Sequence, residues 1–181
     1  VMTSAGKALP GSEIAILDEN LQPLPPGQIG EVAIRGDSVM LGYWNRPEEN
    51  AKAMAQGGWF RTGDAGILDE EGYLYIQDRI KDMIITGGEN VYPAEVESAI
   101  YGHPDVLEVA VVGVPDDKWG EAVKAVCAPK PGHTIDPDSV IAWARERIAG
   151  FKVPKTVDSI EALPRNPSGK ILRKELRAPY W

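Results

Sequence analysis

The chain has 181 residues, of which 43% are hydrophobic and 25% are charged, a composition that is typical of globular proteins and excludes disordered and fibrous classes. No stretch approaches the roughly 20 apolar residues of a membrane span, the first residues lack the regions of a signal peptide, and the formal charge of −8 argues against nucleic acid as a main partner. We therefore expect a cytoplasmic protein that binds small molecules.

The first part of the chain is predicted to be rich in β structure. Apolar runs at 13–18 and 30–36 indicate two strands joined by a Pro-rich loop. A short helix is expected to begin near Pro47 and to end at Gly57, and residues 59–79 indicate a β-hairpin. This part is too small to bury a core alone, so we expect it to expose apolar surface.

The pattern changes near Asp78, where we place a domain boundary. Beyond it, strands and helices are mixed over roughly 100 residues, which is enough for a small domain. The predicted fold class is therefore α+β, with a β-rich segment at 1–77 and a small mixed α+β domain at 78–181. The predicted strands of this domain are 82–86, a short one near 90–93, 107–116, 121–130 and 156–160, and the predicted helices are 93–103, 136–150 and a short one ending near 177.

Cysteine and histidine give no sign of redox or metal chemistry. Cys127 is the only cysteine, so no internal disulfide is possible, and its apolar surroundings favour a buried structural thiol. His103 and His133 are the only histidines and lack metal-ligand spacing, so we interpret both as structural or surface residues and predict no metal site.

Positive charge is concentrated towards the end of the chain. Residues 145–177 contain nine Lys or Arg and four Asp or Glu, whereas the whole chain is acidic. Such a local cationic face suits a small phosphorylated ligand, although a solvated helix would explain the charge equally well. Within this region Pro164, Pro167 and Gly169 indicate an exposed loop that presents Ser168 and Lys170.

This loop lies within a longer motif that resembles a known family. The run LPRNPSGKILRKEL is similar to the closing motif of acyl-CoA synthetases of the fatty-acid-CoA ligase type, in the adenylate-forming superfamily of AMP-binding, luciferase-like enzymes. Three upstream runs resemble further motifs of that family and stand in the family's order. They are GYWNRPE, GWFRTGD and DRIKDMIITGGENVYPAEVE.

The resemblance implies a two-step ligase reaction. A carboxylic acid and MgATP would give an acyl-adenylate and pyrophosphate, and the thiol of CoA would then give acyl-CoA and AMP. Residues 1–77 would be the last, β-barrel part of a large AMP-binding domain, and 78–181 a small C-terminal lid. A fatty acid is the expected substrate. A carrier protein as acceptor, a homo-oligomer and a non-catalytic module that binds CoA or a partner stay open.

The resemblance assigns nucleotide-binding roles to two residues. It implies that Asp64 binds the ribose hydroxyls of the adenylate, a task for which the two acceptor oxygens of a carboxylate are suited. It implies that Arg79 contacts the ribose or phosphate through its planar guanidinium. The residues alone leave other interpretations open, since Asp64 could shape a turn after Gly63 and Arg79 could form a surface ion pair.

The resemblance also assigns a hinge, a channel and a catalytic group. Asp78 would be the hinge about which the lid rotates, and Gly87 and Gly88 would line the channel for the pantetheine arm of CoA, although TGGEN alone indicates a hairpin turn. Lys170 would approach the α-phosphate and the attacking carboxylate, so that its ammonium offsets the charge that gathers there. Arg173 and Lys174 would be solvated or contact the CoA phosphates, and neither would be catalytic.

Two family motifs have no counterpart in the chain. They are a TSGTTGxPK-like phosphate loop and an aromatic-Gly-x-Thr-Glu motif, both of which precede this region in the family. We therefore expect the chain to be a fragment that is inactive alone, with the acid pocket and the magnesium ligands in the missing part.

Overall fold

The computed structural model describes residues 4–181, which form two compact units. The first, here called the N-terminal unit, ends at Lys81, and the second, the C-terminal unit, comprises Asp82–Trp181. Each unit contains one five-stranded sheet, and the described residues include four α-helices. The predicted α+β fold class is confirmed.

The N-terminal unit is an antiparallel sheet. Strand β2 pairs with β1 on one side and with β4 on the other, and β3 and β5 pair with successive parts of β4. Its small core consists of Ile16, Val32 and Leu74. The elements are β1 (Ser12–Leu17), β2 (Gly30–Gly36), α1 (Pro47–Ala53), β3 (Met54–Ala55), β4 (Trp59–Leu68) and β5 (Leu74–Arg79).

Several apolar side chains of this unit are exposed. This agrees with the expectation that the unit is too small to bury all of them. Leu41 and Trp44 are almost fully exposed, and Tyr43 between them is partly exposed. They belong to the loop that leads into α1, which Asn50 holds by hydrogen bonds to the backbone N–H and carbonyl of Tyr43, at 2.6 and 3.0 Å. The loop is therefore fixed in place with its apolar side chains outward.

The C-terminal unit is built on one long antiparallel pair, β8 and β9. Strand β10 runs parallel to β9, and β6 joins the other end of β9 through Thr86 and Gly120. The elements are β6 (Ile84–Thr86), β7 (Glu89–Val91), α2 (Pro93–Tyr101), β8 (Val106–Asp116), β9 (Gly120–Pro129), α3 (Pro137–Arg145), β10 (Thr156–Ser159) and α4 (Arg173–Arg177).

Both faces of the β8–β9 pair are buried. Because side chains alternate along a strand, Val109 and Val111 face the helices α2 and α3, whereas Ala110 and Val112 face Leu176 of α4. Burial on both faces explains why β8 and β9 read as continuous apolar runs in the sequence. The pair is therefore a rigid platform with helices on either side.

The predicted end of the third helix was wrong. Asp136 caps α3 as expected, since its side chain accepts a hydrogen bond from the N–H of Asp138, but the helix ends at Arg145 instead of near Gly150. The next turn tightens, with the N–H of Arg147 bonded to the carbonyl of Ala144. This tightening lets Ile148 pack against the core, a tertiary contact that local periodicity does not show.

Candidate functional site

Asp64 and Arg79 face each other across β4 and β5. The two residues are paired in the strand register, and Nε of Arg79 lies 2.8 Å from Oδ1 of Asp64. The guanidinium is about half exposed, and the carboxylate is 28% exposed. The ion pair that the sequence left open for Arg79 is thus present, and its partner is the other predicted nucleotide ligand. A set of acceptors and a set of donors therefore stand side by side at the surface.

Asp64 is presented by a bulge in β4. Glu31 of β2 pairs with Ala65 and Ala33 pairs with Arg61, so three residues of β4 stand opposite Val32 alone. The middle residue of the three, Gly63, has φ +74°, which favours glycine. The RTGD motif therefore forms a β-bulge that places Asp64 opposite Arg79 of β5.

Side chains supply hydrogen-bond partners for the backbone groups that the bulge removes from the strand pairing. The hydroxyl of Thr62 donates to the carbonyl of Val32 at 2.8 Å and accepts from the N–H of Asp64 at 3.1 Å. The N–H of Gly63 donates to Oε1 of Glu31 at 3.2 Å, and Arg61 donates twice to Oε2 of Glu31. Sequence analysis singled out neither Glu31 nor Arg61; the only signal was an acid directly before the apolar run of β2.

Asp78 lies near the end of β5, beside a second irregularity. It pairs with Ala65, and the register shifts between Ala65 and Gly66. Its carboxylate accepts a hydrogen bond of 2.7 Å from the N–H of Arg79. The N-terminal unit ends three residues later, at Lys81. The hinge role of Asp78 and the assignment of 1–77 and 78–181 to two domains stay predictions.

Gly87 and Gly88 form the two-residue turn of the β6–β7 hairpin. Both have positive φ, +60° and +85°, as a type I′ turn requires. The N–H of Gly87 donates to the carbonyl of Trp119 at 2.9 Å, and a Cβ atom on Gly87 would meet the Trp119 ring at 2.8 Å. This turn is therefore packed against the loop that joins β8 and β9.

Lys170 lies on an exposed loop that Asn166 organises. The side-chain oxygen of Asn166 accepts hydrogen bonds from the N–H groups of Ser168 and Lys170, at 3.1 and 2.9 Å, and from the hydroxyl of Ser168. Arg165 donates to the carbonyl of Gly169 and pairs with Glu108 of β8. Within residues 4–181, no hydrogen-bond or ion-pair partner lies within reach of the Lys170 ammonium. Hydrogen bonds therefore hold the backbone of the loop, while the Lys170 ammonium remains free to contact a ligand.

The expectation that Arg173 is solvated was wrong, and its contact with a CoA phosphate stays a prediction. Its guanidinium contacts both oxygens of Glu97, at 2.8 and 2.9 Å, and lies 3.9 Å from Asp82. Glu97 also accepts from the N–H of Val111 at 2.8 Å. Arg173 therefore ties the start of α4, three residues after Lys170, to α2 and β8.

The residues after α4 are tied to the same sheet. Tyr180 donates to Asp158 of β10, and its ring lies 4.6 Å from the buried ammonium of Lys124. Burial opposes ionisation of Asp158, yet hydrogen bonds from Lys124 and Tyr180 outweigh it and lower the pKa of that carboxyl. The hydrogen bond to Asp158 raises the pKa of Tyr180. The whole segment from the Lys170 loop onward is thus fixed.

The two predicted loops of the C-terminal unit stand at opposite ends of the β8–β9 pair. The Lys170 loop is held at Glu108, near the start of β8, and the Gly87–Gly88 turn is held at Trp119, just after β8 ends. Asp116 lies eight positions after Glu108 along β8, roughly 25 Å at the usual rise of a strand. The structure brings Asp64 and Arg79 together but keeps Lys170 apart from Gly87.

Cys127 and His103 are internal. Burial raises the pKa of the Cys127 thiol to about 12, and His103 contacts the hydroxyl of Ser139 at 3.0 Å. His133 lies nearer the surface and contacts Asp105 at 2.7 Å. Within the described residues no cluster of three or more His, Cys, Asp or Glu could hold a metal ion. Over the same residues, no helix combines the length and apolar character that a membrane crossing needs.

Comparison with known families identifies the class of protein. The model described as "AMP-binding enzyme C-terminal domain" matches residues 95–170, which end at Lys170, and the model described as "AMP-binding enzyme" matches residues 1–44. The chain therefore belongs to the AMP-binding, adenylate-forming enzyme family, as its motifs indicated.

Relatives within the family include acyl-CoA ligases and a fatty acid–[acyl-carrier-protein] ligase, ScoC of Streptomyces coeruleorubidus, which is 45% identical over 181 residues. The chain is 49% identical over 177 residues to a feruloyl-CoA synthase of an Amycolatopsis species, covering 98% of this chain and 36% of that protein. It is also 49% identical over 177 residues to the long-chain-fatty-acid–CoA ligase FadD13 of Mycobacterium tuberculosis, covering 98% and 35%. The chain thus spans about a third of the length of these curated relatives.

A solved structure shows the same fold. ATP-bound MatB from Rhodopseudomonas palustris superposes with a TM-score of 0.92 at 43% identity, covering 98% of this chain and 36% of that one. Here too the match spans only about a third of the other protein.

Proposed function

We propose that this chain is the C-terminal part of an ATP-dependent acid–thiol ligase, a fatty-acyl-CoA synthetase located in the cytoplasm. The observation that supports the proposal is the position of two candidate loops at opposite ends of one antiparallel strand pair. A reaction with two half-reactions can use such a domain twice, presenting the Lys170 loop in one step and the Gly87–Gly88 turn in the other.

In the first half-reaction, the described residues hold and neutralise the nucleotide. The Asp64 carboxylate accepts hydrogen bonds from the ribose hydroxyls, and the Arg79 guanidinium beside it donates to the ribose or phosphate. Lys170 brings an ammonium without a competing carboxylate to the point where the acid attacks the α-phosphate. Residues outside this chain would hold the magnesium ion and the acid.

In the second half-reaction, the important property of Gly87 and Gly88 is that they have no side chains. Gly87 and Gly88 let the backbone approach a thin pantetheine arm closely, and the Trp119 loop holds their turn in place. The sulfur of the CoA thiol attacks the acyl carbonyl and the thiol proton is released to solvent. The bond between the acyl carbon and the phosphate oxygen breaks, and AMP leaves with its electron pair. Rotation near Asp78 would exchange the two loops between the steps.

The acid is set by parts of the enzyme that this chain does not contain. Two relatives with the same identity to the chain carry names with different acids, ferulate and a long-chain fatty acid. We propose a fatty acid on the wording of the motifs around VYPAEVE and the Lys170 loop, and we propose CoA as the acceptor.

The test is acid-dependent ATP–pyrophosphate exchange by the full-length protein, across a panel of fatty, aromatic and amino acids. Lys170→Ala should lower the exchange rate on the order of a hundredfold or more, because one placed charge is removed from the transition state. Lys174→Ala is the matched control, since Lys174 is an exposed lysine one turn further on. No exchange by the wild-type protein would contradict the proposal and favour a binding module, and exchange that survives in Lys170→Ala would refute the catalytic role of Lys170.

Two further measurements test the finer parts. The first compares the rate of acyl transfer to CoA with the rate of transfer to a carrier protein in the second step. Faster transfer to the carrier protein would refute CoA as the acceptor. The chain 1–181 alone should form no thioester from acid, ATP and CoA, and thioester formation by it would refute its assignment as a part.

A further inference from the structure

The buried acid Glu31 is the feature that the proposed roles leave unexplained. It is 9% exposed and is the second residue of β2, directly before the apolar run of that strand. Arg61 donates to its Oε2 from Nε at 2.8 Å and from Nη2 at 2.7 Å, and the N–H of Gly63 donates to its Oε1 at 3.2 Å. Burying a carboxylate is costly unless it is paired and hydrogen-bonded, and both conditions are met here.

The contact between Glu31 and Gly63 acts on the bulge that carries Asp64. Gly63 has no strand partner in the β2–β4 register, so Glu31 supplies the acceptor that the ladder does not. The neighbouring N–H, that of Asp64, is bonded to Thr62. The side chains of Glu31 and Thr62 therefore hold the backbone of Gly63 and Asp64, and so set the position of the Asp64 carboxylate.

A comparison within the same sheet shows what sets Glu31 apart from an ordinary ion pair. Glu13 and Arg35, on β1 and β2, form a similar two-point ion pair at 2.6 and 3.0 Å, yet Glu13 is exposed and accepts no backbone N–H of a candidate site residue. Exposed pairs of this kind contribute little. What distinguishes Glu31 is its burial and its contact with the bulge.

We propose that Glu31 is a positioning residue that sets how well the site distinguishes ribose from deoxyribose. This inference rests on the proposed function, in which Asp64 binds the ribose hydroxyls. Glu31 holds Gly63, Gly63 sets the direction of Asp64, and Asp64 meets the hydroxyls. Loosening Glu31 should therefore weaken the preference for ATP over deoxyATP, and not only the stability of the fold.

The experiment measures kcat/KM of the full-length protein for ATP, 2′-deoxyATP and 3′-deoxyATP in the adenylation step. The readout is the ratio of ATP to each analogue, which does not depend on the fraction of active enzyme. Glu31→Leu removes the acceptor and the charge, Glu31→Gln keeps an acceptor of the same size, Asp64→Asn tests the ligand itself, and Glu13→Gln is the matched control on the exposed pair.

We expect Glu31→Leu to lower the ratio about tenfold, the factor that corresponds to one well-made hydrogen bond, and Glu31→Gln to restore part of it. Asp64→Asn should lower it at least as much, and Glu13→Gln should leave it unchanged. Should Glu31→Leu not fold, a ratio below that of the wild type in Glu31→Gln supports the proposal and an unchanged ratio overturns it.

The two ways of failing are distinguishable. If Asp64→Asn lowers the ratio while both Glu31 variants keep the wild-type value, Glu31 is a structural residue and the inference is overturned. If Asp64→Asn itself leaves the ratio unchanged, the nucleotide role of Asp64 is wrong and the role of Glu31 is wrong with it.

Discussion

Cys127 is fully buried in β9, where burial raises the pKa of its thiol to about 12. The reactive form of cysteine is the thiolate, so the folded protein should resist alkylation by iodoacetamide at pH 8 and should be labelled rapidly in denaturant. Mass spectrometry of the intact protein with and without urea measures this. Because the chain has one cysteine, a single added group reports its exposure, and fast labelling without urea would contradict the buried position.

The same pKa difference links stability to pH. The folded thiol keeps its proton up to a higher pH than the unfolded thiol, whose ordinary pKa is 9.0. The stabilisation is therefore complete below pH 9 and is lost as pH rises from 9 towards 12, with a slope of up to about 1.4 kcal/mol per pH unit. In Cys127→Ala this part of the slope should disappear from urea unfolding curves.

At the residue scale, local motifs suggest candidate ligands but do not reveal the side chains that hold those candidates in place. Asp64 and Arg79 were named as candidates because their motifs are local. Glu31 was not, because its contact with Gly63 joins residues 32 positions apart and depends on the bulge in β4, which no local pattern in β2 reveals.

Among the elements, the β6–β7 hairpin offers a matched pair of substitutions. Gly87→Ala and Gly88→Ala both place a side chain at positive φ, which costs about 1–2 kcal/mol. Only Gly87→Ala also drives a Cβ atom to 2.8 Å from the Trp119 ring, whereas among residues 4–181 no atom lies within 4 Å of the corresponding position at Gly88. Urea unfolding should therefore show a larger loss for Gly87→Ala, and equal losses would contradict the packing of the turn on Trp119.

Helix α4 has only five residues, so it depends on its anchors. Arg173→Met removes the partner of Glu97, a carboxylate that is 18% exposed, and should lower the free energy of unfolding by about 2–4 kcal/mol. Arg177→Met is the control, since Arg177 lies 3.9 Å from Glu121 and should cost under about 1 kcal/mol. A similar decrease in the free energy of unfolding in both variants would show that the contact with Glu97 does not stabilise the fold more than a distant ion pair does.

The elements themselves were largely predictable, because strand and helix periodicity is a local property. The strands β8 and β9 follow from their apolar runs and α3 from its cap at Asp136. What periodicity could not show is the role of Arg173. In sequence it is one basic residue among several, and only the packing of α4 on β8 brings it to Glu97.

For the whole molecule, the separation of the Lys170 loop from the Gly87–Gly88 turn follows from the antiparallel pair between them. The turn is held where β8 ends and the loop where it begins, so the length of the pair sets the distance. Motif order along the sequence gives no such distance. A single site built from both loops at once is therefore excluded within the C-terminal unit, which supports the proposal that the two loops act in different steps.

This separation predicts that each half-reaction can be impaired without the other. In the full-length protein, Lys170→Ala should slow formation of the acyl-adenylate on the order of a hundredfold and change its transfer to CoA only a few-fold, because the ammonium acts where the phosphate charge develops. Gly88→Ala should do the reverse, because a methyl group on the turn narrows the approach of the thiol while its neighbours remain in place.

Rapid quench measurement of the two half-reactions tests this, the first with acid and MgATP, the second with preformed acyl-adenylate and CoA. Gly88 serves better than Gly87, because substitution at Gly87 also displaces Trp119. If both variants slow the same half-reaction, one of the two loops does not act where it is proposed to act. If each slows a different one, a domain of about 100 residues carries two active surfaces, and rotation near Asp78 becomes the step that joins them.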